Sequence, residues 1–305
     1  MVGSAIVRCL RNRGFSQLLL RPRDELDLRN QKAVKDYFVE TSPEVIILCA
    51  AKVGGIIANQ ELPAEFIQQN LMIQTNVISA ASKTGIKDLL FLGSSCIYPR
   101  DCPQPIKEEY LLTGLLEPSN RPYAVAKISG IEQCWANNRQ YGTRYIALMP
   151  CNLYGPGDNF HPEHSHVIPG LIRRFHEARV SQQSQVSAWG TGNPRREFLF
   201  SDDLASACIH LLTLPVKKTK SIFQNHLPPL INIGTGNDIA IRDLVAMISE
   251  VVGYKGAVLW DTQKPDGTPQ KVLSPLLINS LGWHPQISLR DGLKTTYQDY
   301  LQRYD

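Results

Sequence analysis

Residues 89–127 decide the reading: Leu89-Leu90-Phe91-Leu92, then Gly93-Ser94-Ser95-Cys96-Ile97-Tyr98-Pro99. After a polar, Pro-broken excursion comes Pro122-Tyr123-Ala124-Val125-Ala126-Lys127. The four apolar residues closed by Gly-Ser-Ser predict a central parallel strand buried on both faces. Ligands of open α/β sheets bind beyond the carboxyl ends of such strands, where Ser94, Ser95 and Cys96 fall. Pro122 opens a helix on which Tyr123 and Lys127, four apart, project from one face. An ammonium beside a phenol favours the phenolate, and a serine hydroxyl can hold a carbonyl oxygen. Ser, Tyr and Lys together form a device for moving a proton to or from a carbonyl or alcohol oxygen. A lone Y-x-x-x-K among 11 tyrosines is a weak signal, equally an amphipathic helix with a solvated lysine. Its order after a strand and Gly-Ser-Ser gives it weight.

Outward from this stretch the chain reads as an α/β doubly wound, Rossmann-type parallel sheet. Met1 to Arg13 has the period of an amphipathic helix stopped at Gly14. Gln17 to Leu20 reads as a strand, Asn30 to Thr41 as a helix, and Val45 to Leu48 as a buried strand. Lys52-Val53-Gly54-Gly55-Ile56 is a glycine-rich loop at that strand's carboxyl end. A long helix runs from Pro63 through Ser82, and Arg144 to Met149 is the next strand. A doubly wound dinucleotide domain should open with a strand and a Gly-rich turn ahead of its first helix. The sequence shows neither, so the first strand is missing. The expectation is that the true start lies earlier, with a strand ending in Gly-x-x-Gly before Met1.

The division expected is a cofactor domain over residues 1–154 and a smaller α/β substrate lobe over 155–305. In the second part short strands (Val186–Trp189, Glu197–Phe200, Leu230–Ile233, Ala257–Trp260) alternate with helices, and a tail helix packs back onto the body. A net charge of +4 over 305 residues is too mild to argue for nucleic acid or membrane. Seven cysteines without a C-x-x-C read as reduced thiols in a cytoplasmic protein. His161, Glu163, His164 and His166 invite a zinc reading, but their Pro-broken spacing fits no helical ligand pair, and no metal is expected. The alternative for this cluster is acid/base work.

On the strings Gly93–Pro99, Ala50-Ala51-Lys52-Val53-Gly54-Gly55-Ile56 and Tyr123 with Lys127, the chain resembles the extended short-chain dehydrogenase/reductase family over essentially its whole length. Within that family it is similar to the branch that epimerises C3 and C5 of GDP-4-keto-6-deoxy-D-mannose and reduces C4 with NADPH. The resemblance implies catalytic roles for Ser94, Cys96, Tyr123, Lys127 and His166. Cys96 and His166 match the epimerisation pair, and thiol and imidazole titrate near neutrality as that work requires. It implies contacts to NADP(H) from Gly3, Arg23, Leu92, Ser94, Ser95, Lys127, Pro150, Asn152, Leu153 and His166. Gly3 matches the last glycine of the phosphate turn, and Arg23 an arginine for the 2′-phosphate. Asn152 also reads as a structural or water-ordering residue. Arg174, Trp189, Arg196 and Asp266 match substrate positions, although packing alone would explain Trp189. Lys127 is expected to hold the Tyr123 pKa down. The resemblance also implies a homodimer through the helices at Pro63–Ser82 and Pro122–Tyr141. Gln270 departs from the basic residue usual before Lys271, as does Ser274-Pro275 from the usual Asp-Val. The competing readings are a UDP-sugar 4-epimerase or dehydratase, which would not need Cys96 with His166, and a catalytically silent nucleotide-sugar-binding fragment.

Overall fold

A computed structural model of the chain describes residues 1–223, 226–264 and 266–304. The chain opens with α1 (Val2–Asn12), which buries Ala5 and Ile6 and leaves Arg11 and Arg13 outside. Next is α2 (Gln31–Thr41), capped by the Asn30 side chain, which accepts from the Ala33 amide at 3.1 Å. Then come β1 (Val45–Leu48), α3 (Ile56–Glu61), α4 (Pro63–Lys83), β2 (Asp88–Leu92), α5 (Arg121–Tyr141) and β3 (Arg144–Pro150). Pro63 and Pro122 occupy first turns, where a missing N–H costs nothing. The second half adds β4 (Asn152–Tyr154), α6 (Val167–Val180), β5 (Gln185–Trp189), β6 (Arg195–Phe200), α7 (Ser201–Thr213) and β7 (Leu230–Ile233). It continues with β8 (Asp238–Ala240), α8 (Ile241–Val252), β9 (Ala257–Asp261), β10 (Gln270–Lys271), α9 (Leu276–Ser280) and α10 (Leu289–Tyr304).

The main sheet is wholly parallel in the order β1-β2-β3-β7. Leu89, Leu90 and Phe91 are buried completely or nearly so, as an apolar run in a covered parallel strand must be. The helices α4 and α5 pack side by side against this sheet. A second core gathers α6, α8 and α10 around Phe175, Leu244, Ile248 and Leu293. Among the described residues no helix is long and apolar enough to cross a membrane.

Three expectations are corrected. Leu230–Ile233 does not belong to the small lobe: all four residues are buried and pair with β3, so β7 completes the main sheet. With it come Leu204 and Cys208 of α7 and Ile278 of α9, so the main core draws on both sides of residue 154. The tail helix α10 packs into the second core through Leu293, Tyr297 and Tyr300, and its Asp299 accepts from the Gly157 amide at 2.8 Å. Gln17–Leu20 is not a strand. Among the described residues no strand pairs with it, and Leu19 and Leu20 stay about half exposed, at 48% and 47%.

Candidate active site

The turn after β2 is built tightly against β3. A Cβ on Gly93 would fall 2.1 Å from the Met149 Cε, so a larger residue there would have to push that side chain aside. Ser94 follows, its Oγ accepting from the Cys96 amide at 3.4 Å and seating a single turn over Ser95–Ile97. Tyr123 comes from the first turn of α5, and its phenol lies close enough to the Ser94 side chain for that hydroxyl to act on its ionisation. The edge-on ring of Phe66 in α4, 6.1 Å away at 86°, backs the tyrosine. One turn along α5, the buried Lys127 donates from Nζ to the Leu92 carbonyl at 2.8 Å. The same ammonium lies 4.7 Å from the Phe91 ring centroid and 5.8 Å from that of Tyr123. Ser94, Cys96, Tyr123 and Lys127 therefore converge at the carboxyl end of β2.

Burial dominates the electrostatics here. It pushes the Tyr123 phenol well above its ordinary value; the nearby Cys96 adds to this and the Ser94 hydroxyl draws it back. Burial also lowers Lys127 to about 8. The lysine does not act on the phenol in the way expected from sequence: its ammonium is held by the Leu92 carbonyl and sits over the tyrosine ring rather than at its oxygen. Burial raises the Cys96 thiol, and the largest opposing influence is the charge of Lys271, followed by the Ser94 hydrogen bond and Lys127.

Lys271 at the cysteine is the residue that sequence reasoning missed. It pairs in register with Arg196 where β10 lies along β6, and its own pKa is lowered by burial while Cys96 pulls it back up. The excursion after Cys96 folds over this strand: the Ile106 amide donates to the Val272 carbonyl at 2.8 Å, and Val272 donates to the Gln104 Oε1 at 2.9 Å. Tyr98 donates to the Asn232 Oδ1 at 2.6 Å, tying the same loop to β7. The fully buried Glu197 accepts from the amides of Gly236 and Leu273, at 2.7 and 2.8 Å. The apolar run Val272-Leu273 directly after Lys271 was the available signal that this lysine is carried inward.

The substrate candidates form a second group. The Arg174 guanidinium donates to the Ser187 carbonyl at 2.8 Å and stands 5.8 Å from the Trp189 ring, with Lys264 5.5 Å from the same ring. Trp189 is 52% exposed, so core packing does not explain it. Asp266 accepts from the Thr191 amide and hydroxyl, both at 2.7 Å, and its charge acts on the half-buried Arg196. The pair Arg196 and Lys271 joins this group to Cys96.

The remaining candidates are dispersed. His166 is the exposed N-cap of α6; burial raises the nearby Asp158 carboxyl, and His166 is among the charges that draw it down. Among the described residues His166 has no hydrogen bond to Cys96. The His161 ring nitrogen accepts from the amides of Glu163 and His164, both at 3.2 Å, which occupies it locally. Asn152 donates to the Glu197 carbonyl at 2.8 Å, joining β4 to β6, while Pro150 ends β3 and Leu153 lies within β4. Leu92 ends β2, and Ser95 is buried beneath the turn. Gly3 lies in the first turn of α1, where a Cβ would sit 3.9 Å from the Cys49 Cβ, and Arg23 is exposed beyond Gln17–Leu20.

A family model described as the NAD dependent epimerase/dehydratase family matches residues 1–234. The chain belongs to that family. Within it, the sequence is 52% identical to the GDP-L-fucose synthase of Escherichia coli (strain K12), over all of this chain and 95% of that one. It is 53% identical to GDP-L-fucose synthase 1 of Arabidopsis thaliana, over 99% of this chain and 90% of the relative. Among solved structures, a GDP-L-fucose synthetase from Naegleria fowleri bound to NADP superposes with a TM-score of 0.87 at 26% identity, covering 99% and 90% of the two chains. This epimerase/dehydratase relationship accounts for the Rossmann-type sheet and for the Ser-Tyr-Lys group at its carboxyl edge.

Proposed function

We propose that the chain is an NADPH-dependent epimerase/reductase that converts GDP-4-keto-6-deoxy-D-mannose to GDP-L-fucose. The observation that carries this reading is the thiol of Cys96 gathered with Ser94, Tyr123 and the Lys271 charge at the carboxyl end of β2. A reductase needs only the hydroxyl pair; the cysteine adds a group able to exchange carbon-bound protons. Identity of 52% to a GDP-L-fucose synthase over the whole chain supports the same substrate class.

In this reading Ser94 and Tyr123 hold the C4 carbonyl oxygen, which acidifies the protons on C3 and C5. Cys96 removes or returns one of these protons on one face, with His166 as its counterpart. Tyr123 then gives its proton to the C4 oxygen, and Lys127, through its Leu92 anchor, orients the tyrosine and a ribose. When bound, NADPH supplies the hydride to C4. Gly3 and Arg23 fit that cofactor in kind: both line one cleft, and a guanidinium there suits a phosphate. Leu92, Ser95, Pro150, Asn152 and Leu153 complete its proposed surroundings at the carboxyl ends of β2–β4.

At the far end Arg174 and Arg196 take the diphosphate, Trp189 covers a base or sugar, and Asp266 holds the loop that frames them. Residues 1–154 supply the cofactor half and 155–305 most of the substrate half. Met72 and Val125, on the outer faces of α4 and α5 and 40% and 39% exposed, support a homodimer through those helices. Seven free cysteines suit a reducing, cytoplasmic setting.

The test is to incubate the full chain with GDP-4-keto-6-deoxy-D-mannose and NADPH and to follow oxidation at 340 nm beside the nucleotide-sugar product. Stoichiometric NADPH consumption with GDP-L-fucose formed supports the reading. Turnover of a UDP-sugar with no net NADPH consumed would replace it with the 4-epimerase reading.

A further inference from the structure

Two ammonium groups act on the Cys96 thiol, and only one of them is tied down elsewhere. Lys127 donates to the Leu92 carbonyl at 2.8 Å and lies over the Phe91 and Tyr123 rings. Lys271 is partly buried, and among the described residues its Nζ makes no hydrogen bond or ion pair. Its position is set by its strand. β10 lies along β6 with Gln270 beside Arg195 and Lys271 beside Arg196. Paired residues of a sheet share a face, and successive residues alternate between faces. Gln270 and Arg195 both turn to Asp238, donating to its carboxylate at 2.6 and 2.7 Å. Lys271 and Arg196 therefore take the other face, where Lys271 meets Cys96.

The residues after Lys271 are clamped from two sides. The Ile106 amide donates to the Val272 carbonyl, and the Ser274 amide to the Ile106 carbonyl, both at 2.8 Å. The Leu273 amide donates to the fully buried Glu197, also at 2.8 Å. The excursion that begins with the thiol is thus sewn to the strand that carries the ammonium.

We propose that Lys271 is the positioning residue that makes Cys96 a base, its ammonium supplying the charge that holds the sulfur as a thiolate before each proton abstraction. This rests on the reading of Cys96 as the proton-exchanging group. When the sulfur takes a proton from C3 or C5, the C–H electron pair passes to the C4 oxygen as an enolate and the thiolate becomes a thiol. A buried thiol resists the ionisation that must come first, and a cation beside it counters that penalty. The other groups facing Cys96 cannot replace the lysine: Ser94 is uncharged, burial keeps the Tyr123 phenol protonated, and Lys127 is held at Leu92. Facing Lys271 are Cys96, Arg196, Cys102 and Glu117, of which Cys96 acts most strongly. Glu117 is engaged by the Ser119 amide and hydroxyl and by Arg100. Two cations side by side on adjacent strands repel unless anions lie against them. The diphosphate serves Arg196, and the thiolate serves Lys271.

The experiment labels the full chain with iodoacetamide across a pH series and follows Cys96 by mass spectrometry of its peptide. At pH 8 labelling should slow about tenfold in Lys271→Met, with the midpoint of the pH profile raised by about one unit, and Lys271→Arg should restore most of the rate. Deuterium entry at C3 and C5 should lose a similar factor in kcat, with KM for the keto sugar little changed. Cys96→Ala gives the reciprocal reading: the Lys271 ammonium, followed by the NMR signal of its ε carbon, should titrate at lower pH once the thiol is gone. An unchanged labelling profile in Lys271→Met, or an unmoved lysine titration in Cys96→Ala, would overturn the proposal. So would a loss confined to KM, which would assign the lysine to the diphosphate. Labelling needs neither sugar nor NADPH, so a chain that leaves the keto sugar untouched would sink the activity reading while the thiol profile still decides the role of Lys271.

Discussion

Two leucine-rich quartets in this chain begin with similar local chemistry and end differently. Leu89-Leu90-Phe91-Leu92 becomes β2, paired along its length with β1 and β3. Gln17-Leu18-Leu19-Leu20 stays irregular, its leucines half exposed over a cleft. What separates them is a neighbour on each side. A strand is a property of a pair, and every hydrogen-bonding group left facing an apolar cleft counts against it. The consequence reaches the chemistry, because Ser94, Cys96 and the Lys127 anchor all hang from the carboxyl end of the well-paired strand.

The comparison breaks first on core truncation. Leu90→Ala removes a fully buried side chain and should destabilise the fold by about 2–5 kcal/mol, whereas Leu19→Ala should stay within about 0.5 kcal/mol. Equal losses in urea titrations would mean that residues 17–20 are packed as tightly as β2. The next contrast concerns the cofactor. Arg23 lies at the loosely held end and should set NADPH over NADH by a few kcal/mol at most, so Arg23→Ala should shrink that preference while leaving NADH-dependent turnover in place. Equal kcat/KM for both cofactors in the unmutated chain would remove Arg23 from the site.

The smallest effect concerns pH. Lys127 has its folded pKa lowered by burial to about 8, below the ordinary lysine value of 10.5. The folded state therefore binds fewer protons than the unfolded state between those values, and stability should rise with pH once pH passes 8. The slope should be about 1 kcal/mol per pH unit. The cysteines act in the opposite sense: Cys49 is pushed up by burial to about 12, so stability is lost as pH climbs through the ordinary thiol value of 9.0. Because the cysteines titrate alike in both chains, the difference isolates the lysine. Between pH 8 and 9 the stability of the unmutated chain relative to Lys127→Met should rise by about 1 kcal/mol per pH unit in chemical denaturation, and parallel curves would show that the lysine is not the titrating group.

How much of this was legible in sequence depends on how local each feature is. The turn at Gly93–Cys96 and the four-residue spacing of Tyr123 and Lys127 are written in short stretches, and the fold brings them together. The membership of Leu230–Ile233 in the main sheet is not local: an apolar quartet carries no mark of which strand it will lie beside. Lys271 at Cys96 was hidden for the same reason, since the contact depends on β10 folding under the 96–110 excursion. Trp189 left two readings open until its exposure distinguished them. His166 lies in a Pro-broken loop whose position relative to Cys96 no periodicity could specify.

The central claim is that one site holds two separable devices, a proton-exchanging cysteine and a hydroxyl pair that protonates an oxygen. The most direct measurement follows solvent deuterium entering C3 and C5 of the 4-keto sugar beside NADPH oxidation, in a chain competent to bind cofactor. Cys96→Ala should lower deuterium entry by roughly 10²–10⁴, while Tyr123→Phe should chiefly block NADPH oxidation. Deuterium entering Cys96→Ala at the unmutated rate would contradict the account.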